Sequence, residues 1–143
     1  MKVNFRITEN YALDYQGRHL DLHSNFHFVN LEYKIETSTL ILRWLRSKGE
    51  WVPDNEVSNL VLIHKQVNYL LVVSGDPEMA RIEDTRLNDI TFYPSSDRDT
   101  NDSIMTHRLP EDGDDILYLF QTDQKIRVNC EEVELIVGDE GDL

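Results

Sequence analysis

Apolar and polar residues alternate along most of this chain with the period of two that sends successive side chains to opposite faces of a β-strand. Val3, Phe5 and Ile7 alternate with polar neighbours, as do Tyr11, Leu13 and Tyr15, and a Gln16-Gly17 turn leads on to Leu20 and Leu22. The cleanest run sets Val29, Leu31, Tyr33 and Ile35 against Asn30, Glu32, Lys34 and Glu36. Thr37-Ser38-Thr39 then reads as a turn, and LILRWLR (40–46) as the returning strand of a hairpin. The tract 47–58 holds Gly49, Pro53 and Asp54-Asn55 and must be a loop. After it, LVLIH (60–64) and VNYLLVV (67–73) flank Lys65-Gln66 as a second hairpin, and further strands are expected at 90–94, 115–121, 125–130 and 132–137. Helical periodicity is scarce, and PEMARIEDTRL (77–87) is the one short helix candidate, with Pro77 tolerated in its first turn.

Many short strands separated by frequent turns predict an all-β fold: a single antiparallel β-sandwich or partly open β-barrel spanning 1–143, with at most one short helix near 77–87. A parallel sheet would need crossover helices for which the chain has no room. The alternation places Val29, Leu31, Tyr33, Leu62, Leu70, Val72, Leu117, Leu119 and Val128 in the core. A polar, acidic stretch at about 94–115, with Pro94, Pro110 and Gly113, is expected to be a long loop.

Charge adds an asymmetry that the pattern does not carry. The net charge is −13, yet residues 1–75 hold eight acids and eight bases, so residues 76–143, with 19 acids and six bases, carry all of it. Such a field repels nucleic-acid phosphates and anionic lipid headgroups and attracts cations, so a basic protein is the expected partner and nucleic acid is not. The longest apolar runs, YLLVV and ILYLF, fall far short of the roughly 20 residues that span a bilayer. With no signal-peptide core in the first twenty residues, the expected location is the cytoplasm, off the membrane.

The sharpest chemical signal is HLDLHSNFHF (19–28), which spaces His19, His23 and His27 four residues apart. On one extended strand such neighbours lie about 13 Å apart at roughly 3.3 Å per residue, so all three cannot ligate one ion unless the chain breaks at Ser24-Asn25 and recruits His64 or His107. No metal site and no cofactor is expected here. The tract from Asp97 begins like a calcium loop with Asp99 and Asn101, then fails where Asp102 replaces the turn glycine and Arg108 the closing glutamate. No nucleophile elbow, phosphate loop or dinucleotide fingerprint occurs, and Cys130, the single cysteine, reads as a small strand residue.

These readings favour a non-catalytic interaction module, with an inhibitor or immunity-type protein covering a basic surface as its concrete form. Its candidate partner-binding residues are Asp97, Asp99, Asp102, Glu111, Asp112, Asp114 and Asp115, together with Trp51, whose loop position suits either an anchor or a cap on the core. The alternative is a metal-dependent small-molecule binder or β-sandwich enzyme using His19, His23 and His27.

Overall fold

The structure is a computed structural model that describes residues 1–99 and 103–138. Its strands are β1 (Lys2–Val3), β2 (Arg6–Thr8), β3 (Ala12–Tyr15), β4 (Arg18–Asp21), β5 (Phe26–Lys34), β6 (Thr39–Arg46), β7 (Asn59–Lys65), β8 (Tyr69–Val73), β9 (Leu87–Pro94), β10 (Asp114–Phe120), β11 (Lys125–Asn129) and β12 (Glu132–Gly138). They form a five-stranded sheet in the order β1-β12-β7-β6-β5, a four-stranded sheet β8-β11-β10-β9 and a small sheet β2-β3-β4. None closes into a barrel, so of the two expected architectures the all-β sandwich-like one is present. The β1–β12 pair is parallel; the other strand pairs are antiparallel.

The two larger sheets meet through aromatic rings. Trp44 of β6 lies 5.9 Å from Tyr118 of β10, and Phe28 of β5 lies 5.1 Å from Phe120, centroid to centroid. Leu40, Leu42, Leu60 and Leu62 from one sheet and Phe92, Ile116, Ile126 and Val128 from the other complete this core. Burial of this apolar surface is the main stabilising term.

Turn chemistry explains several connections. Gln16 and Gly17 both take positive φ (48° and 78°), the two-residue turn whose twist matches that of β3 and β4. Ser38 at φ 51° ends a short 3₁₀ turn, Ile35–Thr37, and closes the β5–β6 hairpin. Gln66 also has positive φ (55°), but here the expected second hairpin is not formed. Strand β7 pairs with β6 and β12, whereas β8 pairs with β11 in the other sheet. The chain crosses between sheets because Val67 is buried in the core and its N–H donates to Ser38 O. The tract 77–87 yields only the 3₁₀ helix Arg81–Thr85: its large apolar residues Met79 and Ile82 are exposed, so no apolar face holds a longer helix.

The expected core is right in part. Leu62, Leu117 and Val128 are buried, and Leu31 and Leu70 pack against the core from its margin. Val29 is instead exposed, because the β5–β6 register shifts between Phe28 and Asn30 and leaves it as the extra residue of a bulge. Phe28 opposite Trp44 and Leu31 opposite Leu42 therefore share the inner face, three residues apart. Tyr33, near the strand end, and Val72, on edge strand β8, are exposed as well. On β10 the face toward the aromatic core is Ile116, Tyr118 and Phe120, so Leu119 and Leu117, the latter buried all the same, lie on the opposite face of the sheet. Because Val29 lies in a solvent-facing bulge, Val29→Ala should change stability by less than about 0.5 kcal/mol in urea denaturation. A loss above about 1.5 kcal/mol would restore the regular alternation through β5.

Candidate functional site

Two of the expected surface acids are not at the surface. Asp114 and Asp115 open β10 and are 3% and 0% exposed, which corrects the placement of both on a solvated loop. Asp115 Oδ1 and Oδ2 accept a two-pronged grip from Arg98 Nη2 and Nε, both at 2.9 Å. Arg127 Nε donates to Oδ2 at 2.6 Å and Asn129 Nδ2 to Oδ1 at 2.8 Å. Burial alone would push this carboxyl up, but the donors from Arg98, Arg127 and Asn129 outweigh it and hold the carboxyl below its ordinary range. The Arg98 guanidinium lies 3.6 Å above the Tyr69 ring centre, so its free face is covered too. Asp114 Oδ2 accepts from the Glu111 N–H at 2.9 Å and sits 2.8 Å from His107 Nε2, and the His107 ring stacks on Phe92. These two carboxylates brace the base of the loop.

The loop is also less free than its composition suggests. Met105 N–H donates to Thr91 Oγ1, Asn10 Nδ2 to Met105 O, and Ile7 N–H to Arg108 O, which lays the described part of 103–108 between β9 and β2. What remains outward is a pair of turns. Ser95 N–H donates to Gly113 O at 3.2 Å, setting the 3₁₀ turn Ser95–Asp97 beside the turn at 111–113. Asp99, Glu111 and Asp112 are exposed there, and Asp97 is half-buried with the Tyr93 hydroxyl donating to it at 3.4 Å. Asp102 lies outside the described residues.

The histidines separate. His19 on β4 is exposed beside Asp14, 3.3 Å away, and Asp14 also accepts from Thr8 and Arg108. His23 and His27 flank the turn that divides β4 from β5, which is fixed where Asp21 accepts from the N–H groups of Ser24 and Asn25. His23 Nδ1 lies 2.6 Å from Leu87 O; since a carbonyl only accepts, this nitrogen carries the proton. His27 is half-buried, and burial together with nearby Lys48 pushes its imidazole pKa down. His64 is buried in the core, and burial takes it to about 4. Among the described residues, no three His, Cys, Asp or Glu side chains are grouped to hold a metal ion.

His23 and His27 do meet Trp51, in a cleft of about 260 Å³ that Lys48, Ile82 and Arg86 also line. The periodicity reading missed these last three: Lys48 sits in a loop tract with no pattern, and Ile82 and Arg86 come from a segment far along the chain. It also missed Arg98 and Arg127 as partners of Asp115. A signal for Arg127 existed, since in KIRVNC it alternates with Ile126 and Val128 in mid-strand, where a lone cation needs a counter-charge.

Chemically potent side chains in the interior are spoken for. The Cys130 thiol, 4% exposed, is pushed up to about 12 by burial and donates to Glu132 O. The Tyr118 hydroxyl donates to His64 Nε2 at 2.7 Å inside the core. Among the described residues no helix is long and apolar enough to cross a membrane. No family model matches the chain, and no curated protein or solved structure matches it significantly.

Proposed function

We propose that this chain is a non-catalytic protein-interaction module that presents the acidic turns at 95–99 and 111–112 to a cationic protein, with an inhibitor or immunity-type protein as its concrete form. The observation that carries the reading is the Ser95–Gly113 hydrogen bond, which sets the two acidic turns side by side over the buried Asp115 grip. Carboxylates on a braced mount keep their geometry when a partner arrives, so little ordering entropy is lost on binding. Two further features support it: Cys130, His64 and Tyr118 are sequestered, and His19 stands apart from His23 and His27, which weakens a catalytic or metal-dependent alternative. The same field disfavours nucleic acid as a partner.

The test is capture on the immobilised chain from a lysate of its source cell. Basic proteins should be retained at low salt and released as salt rises, because the Debye length falls from about 10 Å at 0.1 M to about 3 Å at 1 M. Capture that is indifferent to salt, or that selects acidic or neutral proteins, would leave the acidic turns as a solubility device.

A further inference from the structure

We propose that the cleft beside Trp51 binds a small planar aromatic carboxylate. Trp51 is 67% exposed yet held in place: its indole N–H donates to Ser24 O at 2.7 Å, and its ring lies so close to Gly49 that a Cβ there would stand 2.1 Å from ring carbons. A large apolar ring kept in water by a hydrogen bond and a glycine is a ready stacking surface, because its own ordering is already complete before a ligand arrives. Ile82, 60% exposed, supplies a second apolar wall to the same cleft.

Charge selects the other end of the ligand. The chain has 27 acids, yet none of the described residues lining this cleft is acidic, while Lys48, Arg86 and two imidazoles are among them. Arg86 is shared with Glu83 at 3.5 Å, which leaves Lys48, close enough to His27 to lower its pKa, as the leading cation. Ser47 lines the cleft as well, whereas the Thr85 hydroxyl is already committed to Ile82 O at 2.6 Å. A volume of about 260 Å³ suits a ring bearing a carboxylate better than a folded partner surface. No residue of the acidic turns lines the cleft, so this inference goes beyond the interaction-module reading and does not rest on it.

The experiment is titration calorimetry of the full chain with 2-naphthoate, its neutral amide 2-naphthamide, and acetate. Naphthoate should bind one-to-one, at least about tenfold tighter than the amide, since a charge-assisted contact to Lys48 is absent from the neutral compound. Acetate, lacking the ring, should not bind measurably. Lys48→Met should erase the preference for acid over amide, and Trp51→Leu should weaken both ligands. Gly49→Ala, which forces the indole to swing away and break its bond to Ser24 O, should weaken both. Equal affinity for acid and amide, an unchanged preference in K48M, or no saturable naphthoate binding would overturn the proposal. So would an acidic peptide that binds the cleft where naphthoate does not, which would assign the site to a protein partner.

Discussion

Asp115→Ala should cost about 3–5 kcal/mol of stability, a large share of the roughly 5–15 kcal/mol that holds a typical domain folded. The loss does not equal the worth of the salt bridge. It arises because removal of the carboxylate leaves Arg127, 3% exposed, charged and buried with its Nε donor unmet, and strips Asn129 and Arg98 of their acceptor at the same point. Arg127 keeps one bond, from Nη2 to Pro94 O, which does not neutralise it. Since the penalty lies in the orphaned cation, Asp115→Leu combined with Arg127→Met should recover much of the loss, as apolar replacements of buried ion pairs commonly do. Arg98→Ala should cost less, because its side chain is 31% exposed and Asp115 keeps two other donors. Urea denaturation orders these variants; a cost below about 1 kcal/mol for D115A would mean the pair contributes no more than an exposed one.

Acidification should weaken the fold well before carboxylates titrate. His64 is fully buried, with Nδ1 facing Leu40 O at 3.1 Å and Nε2 accepting from the Tyr118 hydroxyl. Burial lowers its pKa from 6.5 to about 4, so between those values the unfolded chain binds a proton that the folded one refuses. The stability conferred by neutral His64 is therefore complete above pH 6.5 and is lost as pH falls toward 4, on the order of 3 kcal/mol in all. The lowered pKa of His27 acts in the same sense, whereas the lowered pKa of Asp115 adds a further loss only below the ordinary Asp value of 3.8. Raised by burial, the Asp89 carboxyl works the opposite way and softens the loss. His64→Gln keeps one donor for Leu40 O and one acceptor for Tyr118 but does not titrate, so its unfolding free energy should fall much less between pH 6.5 and 4. Equal slopes for the two proteins would show that His64 does not carry the acid sensitivity.

The strand content and the sandwich-like class were legible because period-two alternation is a direct consequence of strand geometry. Individual faces were legible only where one parity is polar. In ILYLF and YLLVV both parities are apolar, so alternation could not say that Tyr118 faces the main core and Leu117, buried too, the opposite face of the sheet. The bulge at Val29 leaves no local mark in a run that alternates cleanly on paper. The crossing at Gln66 looks locally like a tight hairpin, and only Val67 in the core reveals that the chain changes sheets.

The candidate site divides in the same way. Carboxylates in a Pro- and Gly-containing tract read as solvated, which holds for Asp99, Glu111 and Asp112 and fails for Asp114 and Asp115. The failure has a physical cause: β10 begins at Asp114, and the cations that permit burial of Asp115 come from residues 12 and 17 positions away. Trp51 was visible as an exposed loop aromatic, but the cleft beside it depends on Ile82 and Arg86 from a segment that no local pattern connects to it.

The division between structural and outward-facing acids is the central claim, and one variant tests it most directly: Asp99→Asn, Glu111→Gln and Asp112→Asn together, with Asp97, Asp114 and Asp115 retained. Exposed carboxylates contribute little to stability and repel one another in a chain of net charge −13, so the urea midpoint should stay close to that of the parent protein. Capture of basic protein at low salt should nevertheless be lost, chiefly through slower association. A variant that remains folded and captures the same proteins as the parent, with the same salt dependence, would contradict the account.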